Sequence, residues 1–316
     1  MADLPLTFKY REAARVHNKP YQILPDPSYR ASELRLLVTG AAGGIASTVI
    51  KAFAAAGTKQ MDLIDLNAAA LADLAESLRE SHPDCKVRTY LINLCNPSAV
   101  QDIQHVIQMI GTGRLDETFH SSDVEVKAPD DESQVCEGLE LVVLNAVGIL
   151  GNFAEVSDTD PERWWQTFDV NLKALYASCR GVLPYMKQKG QGTIINFSSM
   201  GCYLTNKGGS AYYVSKAAVS RLTDFLHLEN EEHGVRAFAI HPGNVSTGLG
   251  RAHPPEFHAC LIDPPDLCVG LCQYLTTSRA DFLRGRYVSA NWDIPELEER
   301  KDEIIEKDLL KMTLLV

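Results

Sequence analysis

The sequence predicts a doubly wound parallel α/β sheet of the Rossmann type, with about seven strands and helices on both faces. Short β-rich runs alternate with longer helical patterns from about residue 34 onward. The runs are nearly continuous in apolar residues, as strands buried on both faces are. Each ends in Gly, Asn, Asp, Ser or Pro, which punctuate strands. The runs are 34–38, 61–64, 86–92, 139–144, 192–197 and 235–240.

The length and composition agree with one large α/β domain. The chain has 316 residues, of which 45% are apolar and 22% charged, so it can bury a substantial core. We expect a domain over 34–293, after a polar extension over 1–33 that is a surface wrap or a flexible arm. A charged tail over 294–316 follows, whose apolar residues recur at helical spacing. Within the domain we expect an acidic surface insertion at about 113–138 and a mostly apolar substrate lid at about 244–263.

The charge balance bears on possible partners. Lys and Arg number 30 against 41 Asp and Glu, and the net charge of −11 disfavours nucleic acid and anionic membranes. No apolar run approaches the roughly 20 residues of a spanning helix, and the first residues lack the apolar core of a signal peptide. The eight cysteines include no CxxC pair, which predicts free thiols and no bound metal. We expect a soluble, cytoplasmic protein.

A glycine-rich turn follows the first strand. The segment 39–46 reads TGAAGGIA and opens a helical pattern. Small residues let backbone N–H groups approach a pyrophosphate, and a helix N-terminus adds a favourable partial charge. A tight strand-to-helix connection without a ligand would have the same composition. The turn therefore needs its context before it predicts a dinucleotide site.

Asp65, at the end of the second strand, supplies that context. Dinucleotide folds place a carboxylate there to accept hydrogen bonds from the adenosine ribose hydroxyls. The same charge would repel a 2′-phosphate, and no Arg or Lys lies in the turn or directly after Asp65. The sequence thus favours NAD(H), with NADP(H) as the alternative. An ordinary solvated Asp at a strand end is the competing interpretation.

Tyr212 and Lys216 are four residues apart in a stretch of helical pattern, so they share one helix face. A free phenol with a pKa of about 10 is a poor acid–base catalyst at neutral pH, but a neighbouring ammonium lowers that pKa. The pair could exchange a proton with an alcohol or a carbonyl. A packed ring beside a solvated lysine would show the same spacing. Tyr213, three residues before Lys216, could also face it.

Taken in order, the motifs from about residue 34 to 291 resemble the classical short-chain dehydrogenase/reductase family. The family's TGxxxGxG turn matches 39–46, with Ala46 in place of the last glycine. Asn93 stands where the family has an acid that contacts adenine. The YxxxK motif is intact. The remaining motifs are NAVG at 145–148 for NNAG, Asn171 for the helix Asn, Ser199 for the catalytic Ser, and PGNVST at 242–247.

The resemblance implies a catalytic role for four residues. Tyr212 would be the general acid–base, and Lys216 would depress its pKa while hydrogen-bonding the nicotinamide ribose. Ser199 would hold the substrate oxygen, with Ser198 as the competing hydroxyl. Asn171 would anchor a water that links Lys216 to solvent.

The resemblance also implies a set of cofactor contacts. Val245 and Thr247 would contact the nicotinamide carboxamide. The full expected set is Gly40, Gly44, Ile45, Asp65, Asn93, Asn145, Ala146, Gly148, Tyr212, Lys216, Val245 and Thr247.

These residues predict an oxidoreductase that uses NAD(P)(H) to interconvert a hydrophobic secondary alcohol and ketone. The long chain ends are similar to those of reductases of fungal secondary metabolism, and the family implies a homodimer or homotetramer. His253 and His258 lie in the lid without neighbouring Cys or carboxylates, which disfavours a metal site. Two alternatives stay open: a redox-neutral isomerase, dehydratase or cyclase, and a nucleotide-binding scaffold without turnover.

Overall fold

The computed structural model describes residues 15–21, 29–112, 118–120 and 139–314. Within them, eight strands form one parallel sheet. The strands are β1 (Leu34–Thr39), β2 (Gln60–Asp65), β3 (Lys86–Leu91), β4 (Thr118–His120), β5 (Glu140–Asn145), β6 (Gly192–Phe197), β7 (Val235–His241) and β8 (Tyr287–Ser289). All six runs predicted from the sequence are strands, so the predicted fold class is confirmed.

Helices connect the strands and cover both faces of the sheet. They are α1 (Gly44–Ala55), α2 (Ala68–Ser81), α3 (Ala99–Thr112), α4 (Pro161–Phe168), α5 (Ala174–Lys189), α6 (Ser210–Leu228), α7 (Gly248–Arg251), α8 (Asp266–Leu275), α9 (Ile294–Glu299) and α10 (Lys301–Glu306). The helices α1, α2 and α8 pack into one core cluster. The helices α3, α5 and α6 pack into the second, on the opposite face.

The order of the strands defines where a ligand can bind. It is β4-β3-β2-β1-β5-β6-β7-β8, so the chain leaves β1 in one direction and returns at β5 in the other. The ends of these two strands are in register, with Thr39 beside Asn145. Open parallel sheets bind ligands in the crevice outside such a reversal, at the carboxyl ends of the strands. The segments that follow β1, β5 and β6 therefore share one edge.

Residues of β1 alternate between the two cores. Leu36 and Val38 belong to the cluster with α1, and Leu37 belongs to the cluster with α3 and α5. All three side chains are inaccessible to solvent. A strand packed on both sides has no solvent face, which explains the continuous apolar run in the sequence.

A buried ion cluster lies across β1, β2 and β3, within runs that the sequence pattern marks as apolar. Both oxygens of Asp62 are engaged: Oδ2 lies 2.6 Å from Nη2 of Arg35, and Oδ1 lies 3.1 Å from Nε of Arg88. The Tyr90 hydroxyl donates to Oδ1 at 2.9 Å. Asp62 is fully buried and Arg35 is 1% exposed. A buried charge is tolerated only when it is paired and hydrogen-bonded in this way.

The segments outside the sheet differ in part from expectation. Residues 15–21 of the expected extension cover the turn after β8, where Val16 bridges Trp292. β4 lies inside the expected insertion and extends the sheet edge, while the rest of 113–138 lies outside the described residues. In the described part of the tail, 294–314, the chain forms α9 and α10. Ile304 is buried, and Leu309 and Leu310 beyond α10 pack against the same core cluster, whereas Leu314 is 89% exposed.

Replacing Asp62 by Ala leaves two guanidinium groups buried without their carboxylate. We expect the free energy of unfolding to fall by about 3–5 kcal/mol, measured by urea denaturation. The control is Glu155→Ala, which breaks a solvent-exposed ion pair with Lys207 and should cost less than about 1 kcal/mol. Equal losses in the two variants would contradict the stabilising role of the buried cluster.

Candidate active site

The turn between β1 and α1 requires glycine at several positions. Gly40 has a φ of +68°, and a Cβ there would lie 2.8 Å from Cα and N of Val147. The Gly43 N–H donates to the Gly40 carbonyl at 3.0 Å and precedes α1. A Cβ on Gly44 would lie 3.3 Å from Cγ2 of Thr247. Side chains at these positions would fill the space within the turn. The turn leads into the N-terminus of α1, where free backbone N–H groups can bind a phosphate.

Asp65 braces this turn. Its Oδ2 accepts from the Ala42 N–H at 2.9 Å, and its Oδ1 accepts from the Asn67 N–H at 2.9 Å. The carboxylate is half-buried at the end of β2. Each oxygen has a second lone pair, so Asp65 can still accept from a ribose hydroxyl. The residues around the turn thus fit a dinucleotide.

Two of the expected cofactor contacts use their side chains within the protein. Asn93 accepts from the Cys95 N–H at 3.0 Å. Asn145 is fully buried, and its Nδ2 donates to Oδ1 of Asn196 at 2.9 Å while its Oδ1 accepts from Thr39 at 3.3 Å. The Asn145 side chain therefore ties β5 to its two neighbouring strands and is not exposed at the cleft.

Three of the four predicted catalytic side chains meet where α6 crosses the end of β6. Tyr212 and Lys216 lie on one buried face of α6, with Nζ of Lys216 5.8 Å from the Tyr212 ring centroid. Nζ donates to the carbonyl of Phe197, the last residue of β6, at 2.8 Å. The Ser199 hydroxyl, two residues further on, is hydrogen-bonded to the Tyr212 hydroxyl.

Asn171, the fourth residue, lies in a π-helical turn, Asp169–Lys173, between α4 and α5. A π-turn inserts one residue into a helix and changes the direction of its side chains. Nδ2 donates to the Ile149 carbonyl at 2.9 Å and to the Ser215 hydroxyl at 3.0 Å, and Oδ1 accepts from the Ile149 N–H at 2.8 Å. Asn171 thereby holds the loop after β5. A Cβ on Gly148 in this loop would lie 3.3 Å from Nζ of Lys216.

The protonation of the pair differs from the expectation. Burial raises the pKa of Tyr212 to about 12, against a smaller lowering by the hydrogen bond with Ser199. Burial also lowers the pKa of Lys216 to about 8. The expected lowering of the Tyr212 pKa by Lys216 is therefore wrong for the protein alone, because desolvation of the buried phenolate is the largest cause and raises the pKa.

The two competing side chains are engaged elsewhere. The Tyr213 hydroxyl accepts from Nδ2 of Asn206 at 3.0 Å. The Ser198 hydroxyl donates to the Lys216 carbonyl at 3.0 Å and lies 2.8 Å from the Ser220 hydroxyl. Neither the Tyr213 hydroxyl nor the Ser198 hydroxyl therefore lies where the hydroxyls of Tyr212 and Ser199 meet.

A cleft of about 150 Å³ opens beside Tyr212 and Ser199. Its walls are largely apolar, and the expected lid contributes Leu249 from α7 and Phe257 from a 3₁₀ turn, Pro255–Cys260. The expected nicotinamide contacts Val245 and Thr247 also line it, as does Ile45, another of the expected cofactor contacts.

Three lining or neighbouring side chains have no role in the sequence-based prediction. The ring of His253 lies 5.9 Å from that of Tyr212, and Phe153 packs edge-on against Phe257 with the ring centroids 5.6 Å apart. His241 closes β7 and lines the cleft. Its signal in the sequence is a polar residue directly before Pro-Gly, at the end of an apolar run. Phe153 has no such signal, since the fold alone brings it near the lid.

Lys216 titrates at lower pH in the folded chain than in the unfolded chain, where its ordinary pKa is 10.5. Between about pH 8 and 10.5 the unfolded state therefore binds more protons, and stability due to Lys216 rises with pH. We expect the free energy of unfolding to increase relative to Lys216→Met by up to about 1.4 kcal/mol per pH unit. Urea titrations from about pH 7.5 to 9.5 measure this difference. A pH-independent difference between the two chains would contradict the burial of the ammonium.

The fold and this convergence define a Rossmann-type α/β protein with a cradle for a dinucleotide. A model of the family described as short chain dehydrogenase matches residues 127–256. A short chain dehydrogenase of Monascus purpureus is 34% identical over 306 residues, which cover 96% of this chain and 96% of that protein. The chain belongs to the short-chain dehydrogenase family. It is thus an oxidoreductase of a fold that binds NAD(P).

Solved structures share the fold at lower identity. A gluconate 5-dehydrogenase from Burkholderia cenocepacia, in complex with NADP and tartrate, is 22% identical with a TM-score of 0.66, and the match covers 83% of this chain and 95% of that one. A xylitol dehydrogenase with bound NAD⁺ is 20% identical with a TM-score of 0.66, covering 83% and 98%. At this identity the likeness concerns the fold alone.

None of the helices within 15–21, 29–112 and 139–314 is long and apolar enough to cross a membrane. No group of three or more His, Cys, Asp or Glu in the described part of the chain could hold a metal ion. Seven cysteines there are free thiols, and Cys136 lies outside the described residues.

Proposed function

We propose that this protein is an NAD(H)-dependent oxidoreductase that interconverts a hydrophobic secondary alcohol and the corresponding ketone. The observation that carries the proposal is that Tyr212 and Ser199 line one apolar cleft while the buried Lys216 ammonium lies 5.8 Å from the Tyr212 ring centroid. The cleft adjoins the glycine turn, so a dinucleotide held there would reach it. The family of the chain supports the reaction type.

The glycine turn, with Gly40 and Gly44, would hold the pyrophosphate, and Asp65 the adenosine ribose. Ile45, Val245 and Thr247 would hold the nicotinamide end. When bound, the nicotinamide supplies or accepts the hydride. NADP(H) is the alternative cofactor, because the same turn would also accept its pyrophosphate.

In the direction of reduction, Tyr212 and Ser199 donate hydrogen bonds to the substrate oxygen. Negative charge develops on that oxygen as hydride reaches the carbon, and donors already in position stabilise it. Tyr212 then transfers its proton to the oxygen. With a pKa raised to about 12, Tyr212 is protonated at neutral pH and ready to act as the acid. The Lys216 ammonium stabilises the phenolate that remains.

Two alternative functions of the site can be distinguished from this one by experiment. A redox-neutral isomerase, dehydratase or cyclase would turn over substrate without net change in nicotinamide absorbance. A scaffold would bind the nucleotide and form no product. The convergence of an acid, a hydroxyl donor and an ammonium favours turnover over the scaffold.

We further propose a cytoplasmic homodimer or homotetramer that acts on a small molecule of secondary metabolism. Large apolar side chains on α4, α5 and α6 support self-association, since exposed apolar surface marks interaction sites. They are Trp165 (62% exposed), Tyr176 (50%), Phe225 (45%) and Leu228 (67%). The fungal relative supports the metabolic context.

Replacing Tyr212 by Phe removes the proton donor and keeps the ring. We expect kcat for ketone reduction to fall by about 10²- to 10⁴-fold. The loss of NADH absorbance measures this rate. The matched control is Tyr213→Phe, which loses only the contact with Asn206 and should retain turnover. NADH affinity, measured by fluorescence titration, should survive in both variants. The reverse ranking of the two variants would refute the assignment of Tyr212.

The carboxylate of Asp65 should discriminate against a 2′-phosphate. We expect the native chain to bind NADH at least about tenfold more tightly than NADPH, because like charges a few ångströms apart repel by more than 1 kcal/mol. Asp65→Asn removes the charge and keeps one oxygen to brace the turn, so the ratio of the two dissociation constants should approach one. Tighter binding of NADPH by the native chain would overturn the NAD(H) preference.

A further inference from the structure

His241, a residue of the cleft wall, has a buried imidazole whose nitrogens no contact among the described residues explains. The residue is 4% exposed and lines the cleft beside Tyr212. Among the described residues, neither Nδ1 nor Nε2 of its ring has a hydrogen-bond partner. Its carbonyl, in contrast, accepts from the Ala290 N–H at 2.8 Å. Buried donors and acceptors are almost always satisfied, so an imidazole without partners in the wall of a cleft points to a ligand.

The ring is neutral at physiological pH. Burial lowers the pKa of His241 to about 4, and the nearby Asp263 opposes this only in part. One ring nitrogen therefore donates and the other accepts. Asp263 does not satisfy the donor, since neither ring nitrogen of His241 forms a hydrogen bond with it. Its carboxylate accepts instead from the Asn244 N–H at 2.7 Å and from the side chains of Asn18 and Asn291, each at 3.0 Å.

The second histidine of the cleft, His253, differs from His241 because one of its ring nitrogens has partners within the protein. Nδ1 of His253 lies 3.3 Å from the Leu249 carbonyl and 3.2 Å from the Gly250 carbonyl. The neighbouring walls, which include Leu204 and Leu261, are apolar. His241 is thus a residue of the cleft wall whose ring nitrogens have no partner among the described residues, apart from the site where Tyr212 and Ser199 would hold the reacting oxygen.

We propose that His241 binds a second oxygen of the substrate, so that the substrate is a ketone or secondary alcohol bearing a further hydroxyl or carbonyl group away from the reacting carbon. The identity of the reacting group rests on the proposed function. His241 acts as a specificity-determining residue, and no proton leaves or reaches it during the reaction. An apolar substrate of equal size would bury the ring without a partner, and sites built to hydrogen-bond a ligand reject such analogues strongly.

The test compares ligands that are matched in size. The hydroxyl series pairs 3- and 4-hydroxyacetophenone with 3- and 4-methylacetophenone. The carbonyl series pairs 1,3- and 1,4-diacetylbenzene with 3- and 4-isopropylacetophenone. Dissociation constants are measured by calorimetry on the full chain, with and without NAD⁺. We expect the oxygenated member of at least one pair to bind about tenfold more tightly or better. The series that shows the preference identifies the oxygen as hydroxyl or carbonyl.

Three variants assign the preference to the ring. His241→Leu should bring the ratio of dissociation constants within a pair to about one, and His241→Asn, which keeps a donor and an acceptor, should retain part of it. The control His253→Leu makes the same change in the same cleft and should weaken both members of a pair equally. An unchanged ratio in His241→Leu, or no preference in the native chain, would overturn the inference.

Two further measurements distinguish a failure of this inference from a failure of the proposed function. If His241→Leu fails to fold, ¹⁵N NMR of the native chain decides: the ring nitrogens of His241 should shift with the oxygenated ligand and not with its partner, and unmoved signals would overturn the inference. Turnover is then followed by nicotinamide absorbance. A binding preference that depends on His241 without any absorbance change supports this inference and overturns the proposed oxidoreductase reaction.

Discussion

The buried ammonium of Lys216 is the constraint around which the candidate site is built. An ammonium removed from water is costly unless acceptors replace its hydration. The carbonyl of Phe197 at the end of β6 supplies one at 2.8 Å, and burial lowers the pKa of the ammonium to about 8. This contact sets α6 against the strand end. It thereby places Tyr212 next to Ser199, the second residue after β6.

The loop after β5 completes the enclosure of this ammonium. Asn171 is directed inward by a π-helical turn and holds Ile149 by both its N–H and its carbonyl. Gly148 then passes so close to Nζ of Lys216 that a Cβ would lie 3.3 Å from it. A site of this kind belongs to no single element. It depends on two strand ends and two helices, so a disturbance in any of them would move the reacting groups.

Much of the fold and the residues of the candidate site could be predicted from the sequence, because those signals are local. A strand such as β1 is buried on both sides, and its composition reports this directly. Gly40 needs a positive φ at a fixed place after that strand. Tyr212 and Lys216 share a face at helical spacing. The buried ion cluster around Asp62, in contrast, could not be predicted, because Asp62 lies within an apolar run. Its charge is tolerated only because of its partners on the adjacent strands.

What the sequence alone determined is therefore the succession of strands along the chain, the glycine turn and the residue types at the strand ends. Only the tertiary structure decided the order of the strands in the sheet and how those side chains are used: Asn145 turns into the sheet, the pKa of Tyr212 rises, and the ring nitrogens of His241, in the cleft wall, have no partner among the described residues. The physical reason is that composition and spacing act along the chain. Desolvation and hydrogen-bond satisfaction depend on groups that are distant in sequence and adjacent only after folding.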